Sequence, residues 1–220
     1  RETSRLTLLC MNNIGYRNIT ELITKAYTDG QQSGLACIDQ EWIEEHAEGL
    51  IALSGGVAGE LGQLLLKDKQ ELTDAYLNNW AKVFDGRFYI ELQRTDRENE
   101  ETYNQRALVL AKARNMPVVA TNDVRFISAE EFDAHEVRVC INQSRVLSDP
   151  RRTHDYSEQQ YLRSAEEMSQ LFSDVPSALQ NTVEIAKRCN VTLEFGNNFL
   201  PEFPIPDAVS IDEYLRLQSD

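Results

Sequence analysis

The residues best placed to do chemistry are acids near the ends of strand-like runs. Asp123 closes the run Pro117-Val118-Val119-Ala120-Thr121 beside Asn122, and Glu91 lies inside Arg87-Phe88-Tyr89-Ile90-Glu91-Leu92. A carboxylate at the C-terminal end of a strand stands where α/β folds gather their ligands. There it suits acid–base work or a divalent cation. A carboxylate inside an apolar strand needs a partner if it turns inward, because burying it unpaired is costly. The histidines, His46, His135 and His154, stand singly, with no two at ligand spacing. His135, within Phe132-Asp133-Ala134-His135-Glu136, reads as a structural hydrogen-bonding group. Asp133 and Glu136 read as charges on a helix surface, and His46 as part of a solvated acidic face.

Nucleophile and phosphate-loop signatures are absent: the chain has neither a Gly-x-Ser-x-Gly elbow nor a P-loop. Gly55-Gly56-Val57-Ala58-Gly59 follows a strand but does not fit Gly-x-Gly-x-x-Gly, so a tight strand-to-helix turn is favoured over a dinucleotide site. Cys10, Cys37, Cys140 and Cys189 are widely spaced and form no Cys-x-x-Cys pair. They read as reduced, mostly buried thiols of a cytosolic protein, with a disulfide framework or zinc ribbon as the lesser alternatives.

The elements that must position these groups alternate strand with helix. Apolar runs predict strands over residues 6–10, 50–54, 87–92 and 117–121. Helical spacing predicts helices over residues 16–27, 59–66, 69–84, 98–114 and 129–142, with a further short one from Gln40 capped by Asp39. Short strands each followed by a helix suggest a parallel sheet with helical crossovers, open or closed into a barrel. After Asp149-Pro150 the character changes to a loop and two helices, residues 164–172 and 175–189, the first with Ser164 and Glu167 close to a capping box. Pro201, Pro204 and Pro206 make the stretch that follows an extended linker.

Composition narrows the partners. The 220 residues make one large domain or one and a half ordinary ones, and 41% are apolar, enough for a buried core. Acids outnumber bases 36 to 22, for a formal charge of −14. Such a surface does not grip duplex DNA or an anionic membrane by itself. No apolar run approaches the roughly 20 residues of a membrane span, and no signal peptide is visible.

Several stretches resemble the alpha subunits of bacterial DNA polymerase III, in particular their gammaproteobacterial branch. They are Thr7-Leu8-Leu9-Cys10-Met11-Asn12-Asn13-Ile14-Gly15-Tyr16-Arg17-Asn18, Leu53-Ser54-Gly55-Gly56, Pro117 to Phe126 followed by Asp133-Ala134-His135-Glu136, Asn181-Thr182-Val183-Glu184-Ile185-Ala186, and Phe199-Leu200-Pro201-Glu202-Phe203-Pro204. The resemblance implies an α/β fold: a partial, distorted barrel of the polymerase-and-histidinol-phosphatase type, with residues 50–53, 88–91 and 118–120 as parallel inner strands and a helical C-terminal extension. It implies that residues 1–150 are the later two-thirds of that domain and that 151–196 complete it. Residues 197–220 would lead into a palm domain beyond Asp220, and a first histidine motif would precede Arg1.

The resemblance also bears on the acids. Family members with an intact domain hold a small metal cluster through histidines, a cysteine and acids. Here Gly56 stands where they have the cysteine, while Thr95 and Arg125 stand at two histidine positions; Asp123 and Glu91 remain. Glycine and threonine offer a transition metal little, and arginine repels it. The expectation is therefore a degenerate site with no metal and no cofactor in this chain, and with Arg125 turned onto Asp123, an ion pair that Glu91 could share. The resemblance implies a cytoplasmic replicative DNA polymerase as parent, with magnesium and the catalytic groups elsewhere. It also implies docking of the proofreading exonuclease subunit and other holoenzyme subunits, and DNA contact through other domains. A metal-dependent phosphoesterase acting on pyrophosphate or a DNA 3′ end, and a free-standing interaction domain, are the rival readings.

Overall fold

Strands that are apolar on both faces must be covered on both faces, and that requirement organises the chain. The computed structural model describes residues 3–32, 34–198, 204–205 and 209–219. Four strands form its main sheet: β1 (Thr7–Cys10), β4 (Leu50–Leu53), β5 (Phe88–Gln93) and β6 (Val118–Thr121), in the order β1-β4-β5-β6. Two further strands, β2 (Gln31–Gln32) and β3 (Leu35–Ala36), pair antiparallel beside them. Every residue of β4 and of β5 is buried.

β4, β5 and β6 run parallel, with Ala52 opposite Phe88 and Ile90 opposite Val118. The expected three inner strands are thus present. No closed barrel forms among the described residues: the sheet is open, with β1 and β6 at its edges. β1 departs from the parallel pattern, since it runs antiparallel to β4 with Cys10 opposite Leu50. The reason lies in the excursion between them. The chain leaves along α1 (Asn13–Thr28) and returns through β2, β3 and α2 (Gln40–Glu45), re-entering the sheet where it left, with the Met11 amide on the Gly49 carbonyl at 2.8 Å.

Alternation along the strands sends side chains to two faces. Leu50, Ala52, Phe88, Ile90 and Leu92 pack against Leu61 and Leu65 of α3 (Glu60–Leu66), Leu77 and Trp80 of α4 (Gln70–Val83), and Tyr103 and Ala107 of α5 (Glu100–Arg114). Ile51, Leu53, Tyr89 and Val119 face the other way and meet Ile185 of α8 (Pro176–Arg188). Each fully buried large side chain contributes about 1.5–3 kcal/mol, so the strands' position is set by both layers. α6 (Phe132–Asn142) and α7 (Ala165–Leu171) complete the helices before α9 (Ile211–Ser219). The Ser164–Glu167 capping box at α7 is formed as expected.

Some expectations shift. α1 begins at Asn13 rather than Tyr16, because the Asn12 side chain caps it by accepting from the Ile14 and Gly15 amides, both at 3.0 Å. Asp39 precedes α2 but makes no side-chain cap. Among the cysteines only Cys140 is buried; the other three are half-buried, and all four are free. Of the linker expected over 197–220, residues 199–203, 206–208 and 220 lie outside the described residues. No helix among the described residues is long and apolar enough to cross a membrane.

Candidate functional site

The three parallel strands deliver their C-terminal ends to one region, and the acids singled out from the sequence meet there. β5 carries Glu91 and Gln93 on the sheet face that Tyr89 shares, since residues two apart on a strand point the same way. β4 ends in Ser54-Gly55-Gly56, and this turn takes left-handed backbone: φ is +82° at Gly55 and +59° at Gly56. Glycine is what the turn requires. A Cβ on Gly56 would also stand 2.8 Å from Gln93 Oε1. The glycines therefore serve the expected strand-to-helix turn.

Glu91 is buried and fully engaged by uncharged donors. Its Oε2 accepts from the Gly55 amide at 3.0 Å; its Oε1 accepts from Thr121 Oγ1 at 2.6 Å and from Gln93 Nε2 at 3.1 Å. Among the described residues no arginine reaches it, which corrects the expectation of a pairing shared among Glu91, Asp123 and Arg125. Thr121, at the end of β6, stands opposite Gln93, two residues beyond Glu91, and its hydroxyl reaches back to the partner-seeking buried carboxylate. Nearby, Ser54 Oγ accepts from the Glu91 amide at 3.0 Å, and the Tyr103 hydroxyl donates to the Glu91 carbonyl at 2.8 Å. Burial pushes the Tyr103 phenol well above its ordinary pKa, which suits a permanent donor.

Asp123 sits just past β6 with φ at +40°, a left-handed backbone uncommon for a residue with a side chain. Its Oδ1 accepts from Arg125 Nη2 at 2.8 Å, so the expected Asp123–Arg125 pair is present. Its Oδ2 accepts from Arg97 Nη1 and from Gln160 Nε2, each at 3.0 Å, and Arg5 Nη1 lies 3.7 Å away. Arg97 is the group that sequence reading missed. It donates to Gln93 Oε1 at 2.7 Å, Thr95 Oγ1 at 2.9 Å and Glu100 Oε1 at 3.0 Å, joining the end of β5 to the start of α5 and to Asp123. Thr95 is wholly buried and spends its hydroxyl on Glu100 at 2.6 Å. The spacing Thr95-x-Arg97-x-x-Glu100 was the available signal: an acid in the first turn of a helix with a basic residue three before it.

These contacts bear on whether the residues present could hold a metal. Asp123 has its carboxylate oxygens taken by three hydrogen bonds, and three guanidinium groups surround it within 3.7 Å. Gly56, Thr95 and Arg125 supply no ligand, and among the described residues no three His, Cys, Asp or Glu side chains are grouped to hold a metal ion. The residues present do not fit a metal cluster.

The remaining expected residues lie apart. His135 packs between the rings of Phe126 and Tyr156, with centroids at 5.4 and 4.6 Å, but its buried Nδ1 has no hydrogen-bond partner among the described residues, so it is held by ring packing and not by the expected hydrogen bond. Asp133 is exposed as expected, but Glu136 is not a surface charge. It is buried, and Arg152 reaches back from the loop after α6 to pair with it at 3.2 Å. His46 is not solvated either: its Nδ1 lies 2.8 Å from the Trp42 carbonyl and its Nε2 3.4 Å from Glu21, at the C-terminus of α2.

A model of the PHP domain matches residues 1–95. The DNA polymerase III subunit alpha of Pseudomonas aeruginosa is 54% identical over 97% of the chain, that of Escherichia coli K12 51% over 97%, and that of Vibrio cholerae 50% over 99%. The chain spans only 18–19% of the length of these relatives. Over nearly every residue the chain is thus similar to part of the DNA polymerase III alpha subunits of these bacteria, and its first 95 residues match the PHP domain.

Proposed function

We propose that the chain serves as a scaffold within a replicative DNA polymerase III alpha subunit, and that its own strand-end site has no catalytic task. The observation that carries this reading is the engagement of Asp123 by Arg97, Arg125 and Gln160. Three of the carboxylate's roughly four acceptor sites are then taken, and two of the donors are guanidinium groups that repel a further cation. Nucleotidyl transfer, and the magnesium it uses, belong in this reading to residues outside the chain, in keeping with its 18% share of its relatives. Residues 1–150 and 151–196 then form the PHP-type unit, and 197–220 lead toward the palm.

What remains for such a unit is to hold other proteins in the cytoplasm: the proofreading exonuclease subunit and other holoenzyme subunits. A net charge of −14 favours protein over phosphate as its partner. DNA is met through other domains of the parent. Calorimetric titration of the exonuclease subunit into the chain, run beside hydrolysis assays on pyrophosphate and a DNA 3′-phosphate with zinc or manganese, tests both halves. Saturable one-to-one binding and no metal-dependent hydrolysis are expected. Absence of binding removes the docking role; hydrolysis abolished by Asp123→Asn reinstates the metal-dependent phosphoesterase.

A further inference from the structure

α6 and α9 each carry an apolar face that the rest of the chain leaves open, and the charges beside the two faces are opposite in sign. On α6, Ala134, Val137 and Ile141 fall on one stripe at helical spacing, away from the buried Glu136 and Cys140. Ile141 is 71% exposed, and Val146 and Leu147, just past the end of the helix, are exposed as well. Single exposed apolar residues need no explanation, whereas a row of them marks a contact surface. This one is basic within an acidic molecule: residues 138–154 hold four arginines and one acid, Asp149, in a chain of net charge −14. Arg145 and Arg151 hold Asp149 between them, and Arg152 turns inward to Glu136. Arg138, on the flank of the stripe, is exposed and makes no ion pair among the described residues. α9 has the complementary character. Ile211 and Leu215, one turn apart, are 65% and 64% exposed, Asp212 and Glu213 lie in its first turn, and none of its described residues is buried.

We infer that α9 of one copy of the chain docks on the α6 patch of a second copy. Ile211 and Leu215 lie along Val137 and Ile141, and Asp212 pairs with Arg138. Packing helix on helix is how two such stripes leave water together. Among the described helices α9 offers what the patch calls for, an open apolar face beside acids. The occupant is a second copy because within one copy both faces stay open. Reciprocal exchange between two copies closes both contacts around a two-fold axis. A helix of nine residues covers less surface than a permanent interface needs, so the association is weak and depends on concentration.

Sedimentation equilibrium of the 220-residue chain, from micromolar to near-millimolar concentration, tests the docking. The mean mass is expected to rise from the 25.1 kDa of one copy toward twice that value. Ile141→Glu and Leu215→Glu, each checked for native folding by circular dichroism, are each expected to weaken association at least about 10-fold, because each puts a charge into an apolar contact. Arg138→Glu is expected to weaken it several-fold, and Arg138→Glu combined with Asp212→Arg to bring it back, since the charges are then exchanged and not lost. Association that both glutamate variants leave unchanged overturns the docking, and a charge exchange that restores nothing overturns the pairing that sets its direction. A mass that stays at one copy throughout also overturns it. In that event, faster hydrogen exchange of the α9 amides in Ile141→Glu than in wild type assigns the patch to α9 of the same copy. Calorimetric binding of the exonuclease subunit that wild type shows and Ile141→Glu lacks assigns it to that subunit instead.

Discussion

Arg97→Met removes the cation that, among the described residues, pairs with both Glu100 at the start of α5 and Asp123 just past β6. Arg97 is one-fifth exposed, Asp123 slightly less, and Glu100 almost wholly buried. Deleting one partner of a buried pair costs about 3–5 kcal/mol, because the other charge is left in poor solvent. Two features reduce that figure here. Asp123 keeps Arg125 and Gln160, and Glu100 keeps the Thr95 amide and hydroxyl, both at 2.6 Å. The expected loss is about 2–3 kcal/mol, which for a chain of this size lowers Tm by roughly 5–10 °C. Urea unfolding followed by far-UV circular dichroism reads it directly, provided the slope is unchanged. Arg97→Met combined with Glu100→Gln is expected to regain about half of the loss, since the acid no longer needs its cation. A loss under about 0.5 kcal/mol, or a double variant whose effect is the simple sum, refutes the reasoning.

Three further outcomes follow from named contacts. Gly56→Cys, which restores a family ligand, is expected to destabilise by about 1–3 kcal/mol in urea, because it imposes φ of +59° on a side chain and crowds Gln93; a neutral effect contradicts the account of the turn. Hydrogen bonding from Arg94 holds the Asp174 carboxyl below its ordinary pKa. The stability it adds is present above the ordinary carboxylate pKa of about 3.9 and lost as pH falls through the lowered value. Asp174→Asn should flatten that acid-side decline in thermal-melt profiles, and an unchanged profile refutes the assignment. Fluorescence anisotropy with duplex DNA at physiological salt should detect no binding, given the net charge of −14, and sub-micromolar affinity shows this wrong.

The parts legible from sequence are those fixed by period and burial. β4, β5 and β6 stand out because strands covered on both faces carry near-continuous apolar runs, and their parallel direction follows from the helices between them. The direction of β1 is not legible, because a strand followed by a helix has the same local pattern whether the chain crosses over or doubles back. β2 and β3 escape notice because two exposed residues carry no periodicity. At the site, Asp123 and its pairing with Arg125 follow from two-residue spacing on extended chain. Arg97 and Gln160 do not, since a loop of 26 residues' separation and an irregular strap of 37 are brought to Asp123 only by the fold. The burial of Glu136 depends in the same way on Arg152 returning from beyond α6.

Metal content is the most direct measure of the central claim that Asp123 serves structure and not a cation. The purified 220-residue chain, dialysed against zinc and then manganese, is analysed by inductively coupled plasma mass spectrometry, and crystals grown from it are examined by anomalous scattering. The account predicts no stoichiometric metal and an arginine-bound Asp123. One equivalent of zinc or manganese coordinated by Asp123 would contradict it.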